Sequence, residues 1–387
     1  MRWGSAAEAG FDGDALDAAF AVAGRRIGGR EVPGGVLAVG RRGVGVVPRA
    51  FGWRLYEPDA EREPATADTL FDLASLTKVV ATATGVWQLI EGGELALDDR
   101  LVEVLPPFAE TPEGETAGWR RDVLVRHLLT HTSGLPAGRD VGRVDGDRSA
   151  RLAAVATTPL TSRPGERMVY SDLGFMLLGA LIETISGSSL DSFCRERIFA
   201  PLGMVDTGYR PPDPGRTAAT EWKQDAGRDG HEPGFVRGVV HDENARSLGG
   251  VSGHAGLFST ASDLGVFADA LLSRGVGGAP GRPLRRILSA ASVERMTLPL
   301  VIGEGSSRTL GWQGAGQSGA PYGDLWSARV YGHTGFTGTA LWIDPERDVW
   351  VVLLTNAVHM GRAVGIPATY RLRTYVHNAV VAAASPR

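Results

Sequence analysis

Apolar positions repeat with two different periods along this chain, and the switch between them outlines the fold. Leu16, Ala19, Phe20, Ala23 and Ile27 recur at helical spacing and predict a helix over 12–27, with Asp12 as its cap. The apolar runs 36–39 and 44–47, on either side of Arg41-Arg42-Gly43, read as two strands. A helix follows over 75–91, ended by Gly92-Gly93. From there to about residue 290 the spacing is mostly helical, clearest at 123–129, 172–185, 190–199 and 261–272. Near the end the period returns to two. The β-rich runs 339–343 and 349–355 flank a polar 344–348 and predict a hairpin. A last helix over 370–384 places Leu372, Tyr375, Val376, Ala379, Val380 and Ala383 on one face. The Gly- and Pro-rich stretches 224–233 and 275–282 read as loops, and there is no internal repeat.

Helix and strand at both ends with helices between them predict an α+β fold. An antiparallel sheet subdomain is expected from 1–71 and 291–387, a helical subdomain from 72–290, and an active site between them. With 43% hydrophobic and 22% charged residues over 387 positions, the chain suits a soluble globular protein. A net charge of −4 and pI of about 6.1 give no reason to expect a nucleic-acid or membrane partner. The single cysteine, Cys194, excludes an internal disulfide and reads as a buried bystander in the 190–199 helix. Met1–Ser5 carries no apolar leader core and no window is long enough for a membrane span, so a cytoplasmic location is expected.

Three short motifs carry the chemistry. In Ser75-Leu76-Thr77-Lys78, one helical turn lets the hydroxyl and the ammonium touch. A serine is a weak nucleophile until a neighbouring group takes its proton. Tyr170 of Tyr170-Ser171-Asp172 can be that base where cations stabilise its phenolate. In His333-Thr334-Gly335 the glycine admits close approach of a ligand, and the next N–H, that of Phe336, can pair with that of Ser75 as an oxyanion hole. Taken singly, each motif also has a bland reading: a chance tetrapeptide, a half-buried core tyrosine, a plain turn.

In this order the three motifs resemble the serine β-lactamase and penicillin-binding-protein superfamily, and most of all its class C β-lactamase-like branch of esterases, D-amino peptidases and transacylases. The resemblance runs over residues 10 to 385. It includes Asp72–Lys78, Leu124–Pro136 (LVRHLLTHTSGLP), Pro164–Gly174 (PGERMVYSDLG), Gly249–Leu264 (GGVSGHAGLFSTASDL), Gly311-Trp312 and Gly332–Gly335. It implies the fold of that superfamily, no cofactor and no metal. It makes Ser75 the nucleophile of an acyl-enzyme, with Lys78 in its proton network. Tyr170 becomes the general base and then the acid, and the Ser75 and Phe336 N–H groups the oxyanion hole. Asp172, His333, Thr334, Gly335 and Trp312 are expected at the substrate. Two departures stand out. Asp172 replaces the usual asparagine and can pair with Lys78 instead of donating to a substrate carbonyl. His333 replaces a lysine and is mostly neutral at pH 7, which argues against β-lactams and substrates with a free carboxylate.

Other polar residues have two readings. His127 and His131, at i and i+4, could suggest a metal pair, but no zincin glutamate accompanies them and a packed helix end is preferred. His241, Asp242, Asn244 and His254 are either a rim of the site, a metal site, or a hydrogen-bonded loop. Glu166 is expected to pin the loop after Pro164-Gly165. Trp312, Tyr322, Trp326 and Tyr331 line either a pocket or the sheet core. The function expected from all this is a serine hydrolase of a small ester or amide. The alternative is a transacylase passing the same acyl group to a second substrate, an amine or alcohol. A D,D-peptidase, a β-lactamase and an inactive binding relative rank lower. Nothing in the sequence sets the oligomeric state.

Overall fold

The terminal segments close on each other through a central sheet. In the computed structural model, which describes all residues except 58–61, 111–116, 212, 226–231, 303–305, 317–321 and 385–387, ten strands form it. Their order is Arg2–Gly4, Val44–Tyr56, Gly34–Arg41, Val349–Thr355, Ala340–Asp344, Tyr331–Thr334, Gln313–Gly314, Ser306–Arg308 and Leu300–Ile302, with Arg62–Pro64 paired to Val44–Tyr56. Strands Gly34–Arg41 and Val349–Thr355, more than 300 residues apart, pair in the middle, from Arg41 opposite Val349 to Gly35 opposite Thr355. The sheet is antiparallel apart from one edge, where Arg2–Gly4 runs parallel to Val44–Val46.

Helices Gly13–Gly24 and Arg362–Ala383 cover one face of the sheet. Asp12 caps the first as expected, its Oδ1 accepting the Ala15 N–H at 2.8 Å. The second begins eight residues earlier than its apolar stripe suggests and carries Pro367 within it. Proline is a helix-breaking signal in sequence, so this first part of the helix has no clear local signature. The other face is covered by Ala261–Leu272, assigned to the helical part from sequence but packed on strands Gly34–Arg41 and Val349–Thr355. Trp350 fills this layer. A Cβ on Gly40 would lie 2.1 Å from its ring and one on Gly265 2.7 Å, so both glycines are dictated by close approach.

Residues between the two halves of the sheet form a largely helical lobe around the buried helix Asp172–Ser186. Among the described residues no single helix is long and apolar enough to cross a membrane. The 75–91 segment is helical throughout but irregular: a tight turn over Ala74–Leu76, a wide π-type stretch over Lys78–Ala83, then a regular helix over Thr84–Glu91. Such widened stretches in helices often accompany functional sites.

Candidate active site

One buried carboxylate shapes the turn that carries Ser75. Asp72 Oδ1 accepts the Ala74 N–H at 2.8 Å, and Oδ2 accepts the His241 N–H at 2.6 Å. Ala74 is thereby held at φ +46°, a left-handed conformation that costs an L-residue roughly 1–2 kcal/mol. The turn's own hydrogen bonds come from Leu76, to the Leu73 carbonyl at 3.1 Å, and from Thr77, to Ala74, so the Ser75 N–H is not used by it.

Lys78 is fully buried one turn further on, and its ammonium is surrounded by acceptors. Nζ donates to Ser75 Oγ at 2.9 Å, to Asp172 Oδ1 at 2.8 Å and to the His254 carbonyl at 3.1 Å. Burial on its own would lower the lysine pKa, but the charges and hydrogen bonds of Asp172 and Tyr170 outweigh it and leave the pKa above its ordinary value. Lys78 is therefore an ammonium. Asp172 makes the pairing that its replacement of asparagine suggested.

Tyr170-Ser171-Asp172 is fastened to the 131–137 segment. The Ser171 N–H donates to His131 Nδ1 at 3.0 Å, Ser171 Oγ to the Pro136 carbonyl at 2.6 Å, and the Asp172 N–H to the Ala137 carbonyl at 2.9 Å. Glu166 accepts the Arg163 N–H at 3.1 Å and so ties the preceding loop. The Tyr170 ring centroid lies 5.0 Å from Lys78 Nζ, 4.4 Å from the His131 ring, 6.1 Å from the His333 ring and 5.4 Å from Arg308 Cζ.

Two of these neighbours are neutral imidazoles. Burial pushes His131 and His333 well below the usual histidine range, and the charges of Arg308 and Lys78 push them further. Because His131 Nδ1 accepts a hydrogen bond, its proton sits on Nε2. Because His333 Nδ1 donates to the Thr334 carbonyl at 2.8 Å, its Nε2 is a bare acceptor. Both Nε2 atoms are buried without a partner among the described residues. Arg308 is 1% exposed, and its Nε and Nη1 are buried donors that likewise lack a partner among the described residues. Burial pulls its guanidinium down to about 10, with only the nearby Tyr170 working in the other direction.

The loop after His333 is stitched to the turn that carries Ser75. Thr337 Oγ1 donates to the Asp72 carbonyl at 2.7 Å and Thr339 Oγ1 to the Leu73 carbonyl at 3.0 Å. A Cβ on Gly335 would lie 2.1 Å from Thr339 Oγ1 and 2.4 Å from the Leu73 carbonyl oxygen. Gly335→Ala is expected to push this loop off Leu73, lowering turnover about 100-fold while costing about 1–3 kcal/mol of stability. Parallel turnover and thermal-melting measurements check it, and a fully active variant would show that the close packing has no bearing on the site.

Comparison with known proteins gives the family of the chain. The family model described as Beta-lactamase matches residues 19–374. The chain belongs to that family. A putative D-alanyl-D-alanine carboxypeptidase of Escherichia coli (strain K12) is 37% identical over 315 residues, covering 76% of this chain and 70% of that protein. An N-acetylmuramyl-L-alanine amidase of Bacillus subtilis (strain 168) is 32% identical over 352 residues, covering 84% and 78%. Among solved structures, EstCE1, a hydrolase with promiscuous acyltransferase activity, superposes with a TM-score of 0.71 at 23% identity, covering 95% of this chain and 99% of the other. This Beta-lactamase family member therefore has the expected β-lactamase/penicillin-binding-protein-like fold and belongs among serine hydrolases.

Not every expected site residue reaches the site. Trp312 is fully buried against Phe267 and Tyr331, within the core that extends beneath the site. Its aromatic neighbours divide between the two faces of the sheet: Tyr331 packs beside it, whereas Tyr322 and Trp326 belong to the opposite layer under the terminal helices. Asn244 spends its side-chain oxygen on the Val141 N–H at 2.8 Å. Asp242 caps the helix Glu243–Ser247 and meets His254 Nε2 at 2.9 Å. The His254 ring thus joins a hydrogen-bonded loop, while its backbone carbonyl faces Lys78. Thr334 is half-buried at the end of its strand. His127 accepts the Leu124 N–H, but His131 lies past the end of helix Val125–Leu129 at φ +58° and turns toward Tyr170, so the two histidines do not share a helix. The sequence reading missed His131 as a site neighbour and missed Arg308 altogether. His131 lies in the recognisable 124–136 block, whereas Arg308 is one arginine among many.

Proposed function

We propose that this protein is a serine amidohydrolase that forms an acyl-enzyme on Ser75 with peptide-like substrates ending in a free carboxylate. The observation that carries this reading is Arg308, a buried guanidinium beside Tyr170 with two donors that no described residue meets. An unpaired buried cation is costly unless something fills the gap, and a carboxylate matches its fork. Arg308 thus offers the positive charge that neutral His333 lacks, and it reverses the expectation drawn from His333 in the sequence. The printed names of the two curated relatives, a carboxypeptidase and an amidase, also favour peptide amides.

The proton path follows from Lys78. An ammonium has no lone pair, so Lys78 holds Ser75 Oγ in place and accepts nothing. Tyr170, flanked by the cations Lys78 and Arg308, takes the Ser75 proton as Oγ bonds to the carbonyl carbon. The oxygen of that carbonyl gathers negative charge opposite the Ser75 and Phe336 N–H groups. As the C–N bond breaks, Tyr170 returns the proton to the leaving nitrogen. Water then attacks the acyl carbon, losing a proton to Tyr170, and Tyr170 passes that proton to Ser75 Oγ as the C–Oγ bond breaks.

The test compares an N-acylated dipeptide bearing a C-terminal carboxylate with its C-terminal amide. The carboxylate form should have a kcat/KM about 100-fold higher, the value of one charge-assisted contact, and Arg308→Gln should collapse that ratio. Equal turnover of the two, or an unchanged ratio in Arg308→Gln, overturns the carboxylate reading and leaves the Ser75 chemistry to be judged separately.

A further inference from the structure

Phe336 supplies a backbone N–H to the proposed oxyanion hole, yet its ring is 45% exposed and the aliphatic core does not hold it. Two side chains do. The His241 imidazole stacks on the ring at 5.8 Å between centroids and 21° between planes, and Arg362 Cζ lies 5.3 Å from the ring centroid. Both depend on one carboxylate. Glu221 Oε2 meets His241 Nε2 at 3.0 Å, and Arg362 Nε reaches the two Glu221 oxygens at 2.9 and 3.1 Å. Lys223 adds a contact to Glu221 at 2.7 Å, and Glu243 bridges Lys223 and Arg362 at 2.9 and 2.7 Å. Burial alone would raise the Glu221 pKa, but hydrogen bonds from His241, Lys223 and Arg362 hold it well below the carboxylate range, so it remains an anion.

His241 also reaches the other half of the hole. Its N–H is held by Asp72 Oδ2, and the other oxygen of that carboxylate fixes Ala74, the residue before Ser75. One buried residue therefore touches Phe336 through its ring and the Ser75 turn through its backbone. The two N–H groups come from segments 261 positions apart (336 − 75) that must converge within a few tenths of an ångström to share one oxygen.

We propose that His241, Glu221 and Arg362 form a clamp that positions the Phe336 N–H relative to that of Ser75, making all three positioning residues for the oxyanion. This rests on the oxyanion-hole reading given above. The clamp acts on the transition state and not on ground-state binding, so its loss should appear in kcat.

The test uses an ester substrate and its thionoester, in which sulfur replaces the carbonyl oxygen and fits an oxyanion hole poorly. Wild-type enzyme should strongly prefer the oxygen ester. Glu221→Gln and Arg362→Gln should each lower kcat for the oxygen ester about tenfold, leave KM within about twofold, and shrink the oxygen-to-sulfur preference. Arg362→Lys, which keeps a cation near Glu221 and Phe336, should recover part of the loss. Arg362 is a partly exposed residue, so its variants keep the test open if Glu221→Gln does not fold. If wild type shows no oxygen preference, the oxyanion reading itself fails. If wild type shows it and the variants leave it unchanged, the clamp fails while the oxyanion hole stands.

Discussion

Ser75→Ala is expected to lose turnover by about 10⁴-fold or more and to lose all covalent labelling by a fluorophosphonate. The size of the effect follows from the geometry. Ser75 Oγ is the atom held by the fully buried Lys78 ammonium at 2.9 Å, at the head of a turn strained through Ala74. The chain's single thiol cannot replace it. Cys194 is buried, and burial raises its thiol far above the range in which a thiolate forms. Intact mass after labelling is decisive: one adduct on wild type and none on the variant. An adduct persisting on Ser75→Ala would move the nucleophile elsewhere. Because the change removes a single oxygen, the melting temperature should stay close to wild type, which separates lost chemistry from lost fold.

Local motifs made the centre of the candidate site legible. Ser75 and Lys78 are one turn apart, and a helical turn brings them into contact whatever surrounds them. Tyr170 and Asp172 were visible because helix Asp172–Ser186 starts beside them with Ser171 as its cap. The sheet strands at both ends were legible through their period of two. What stayed hidden depends on pairing across long separations. Arg308 faces Tyr170 because its strand lies two places from His333's in the sheet, and strand order has no local signature. Whether Trp312 lines a pocket or the sheet core stayed open in sequence for the same reason, since which face of a sheet a residue takes depends on strand order and register. His131 was read only as part of a packed helix end, and its positive φ, which has no local signature, brings the ring onto Tyr170.

Asp172→Asn is expected to lower kcat/KM about 100-fold at about pH 9 and to bring the alkaline limb of the pH–rate profile down toward neutrality. Lys78 has no exposed surface, so the charge of Asp172 is the main reason that it stays protonated. An asparagine can still accept a hydrogen bond from Nζ but offers no charge, so burial is opposed by Tyr170 without Asp172 and the lysine pKa falls. A deprotonated Lys78 has too few protons to serve Ser75 Oγ, the substituted amide and the His254 carbonyl together, so the nucleophile loses its anchor. Stability should follow with the same sign. The folded-state pKa of Lys78 is raised, so the pair's contribution is complete below the unfolded value of about 10.4 and is lost only as pH rises through the folded value. Wild-type stability should therefore hold from neutral pH up to about pH 10 as far as this pair is concerned. The variant should be destabilised by about 2 kcal/mol at about pH 7, less than for a fully buried pair because the Asp172 side chain is 33% exposed. Denaturant melts and pH–rate profiles of the two proteins measure both effects. An alkaline limb that does not move in Asp172→Asn would mean that something other than this carboxylate keeps Lys78 charged.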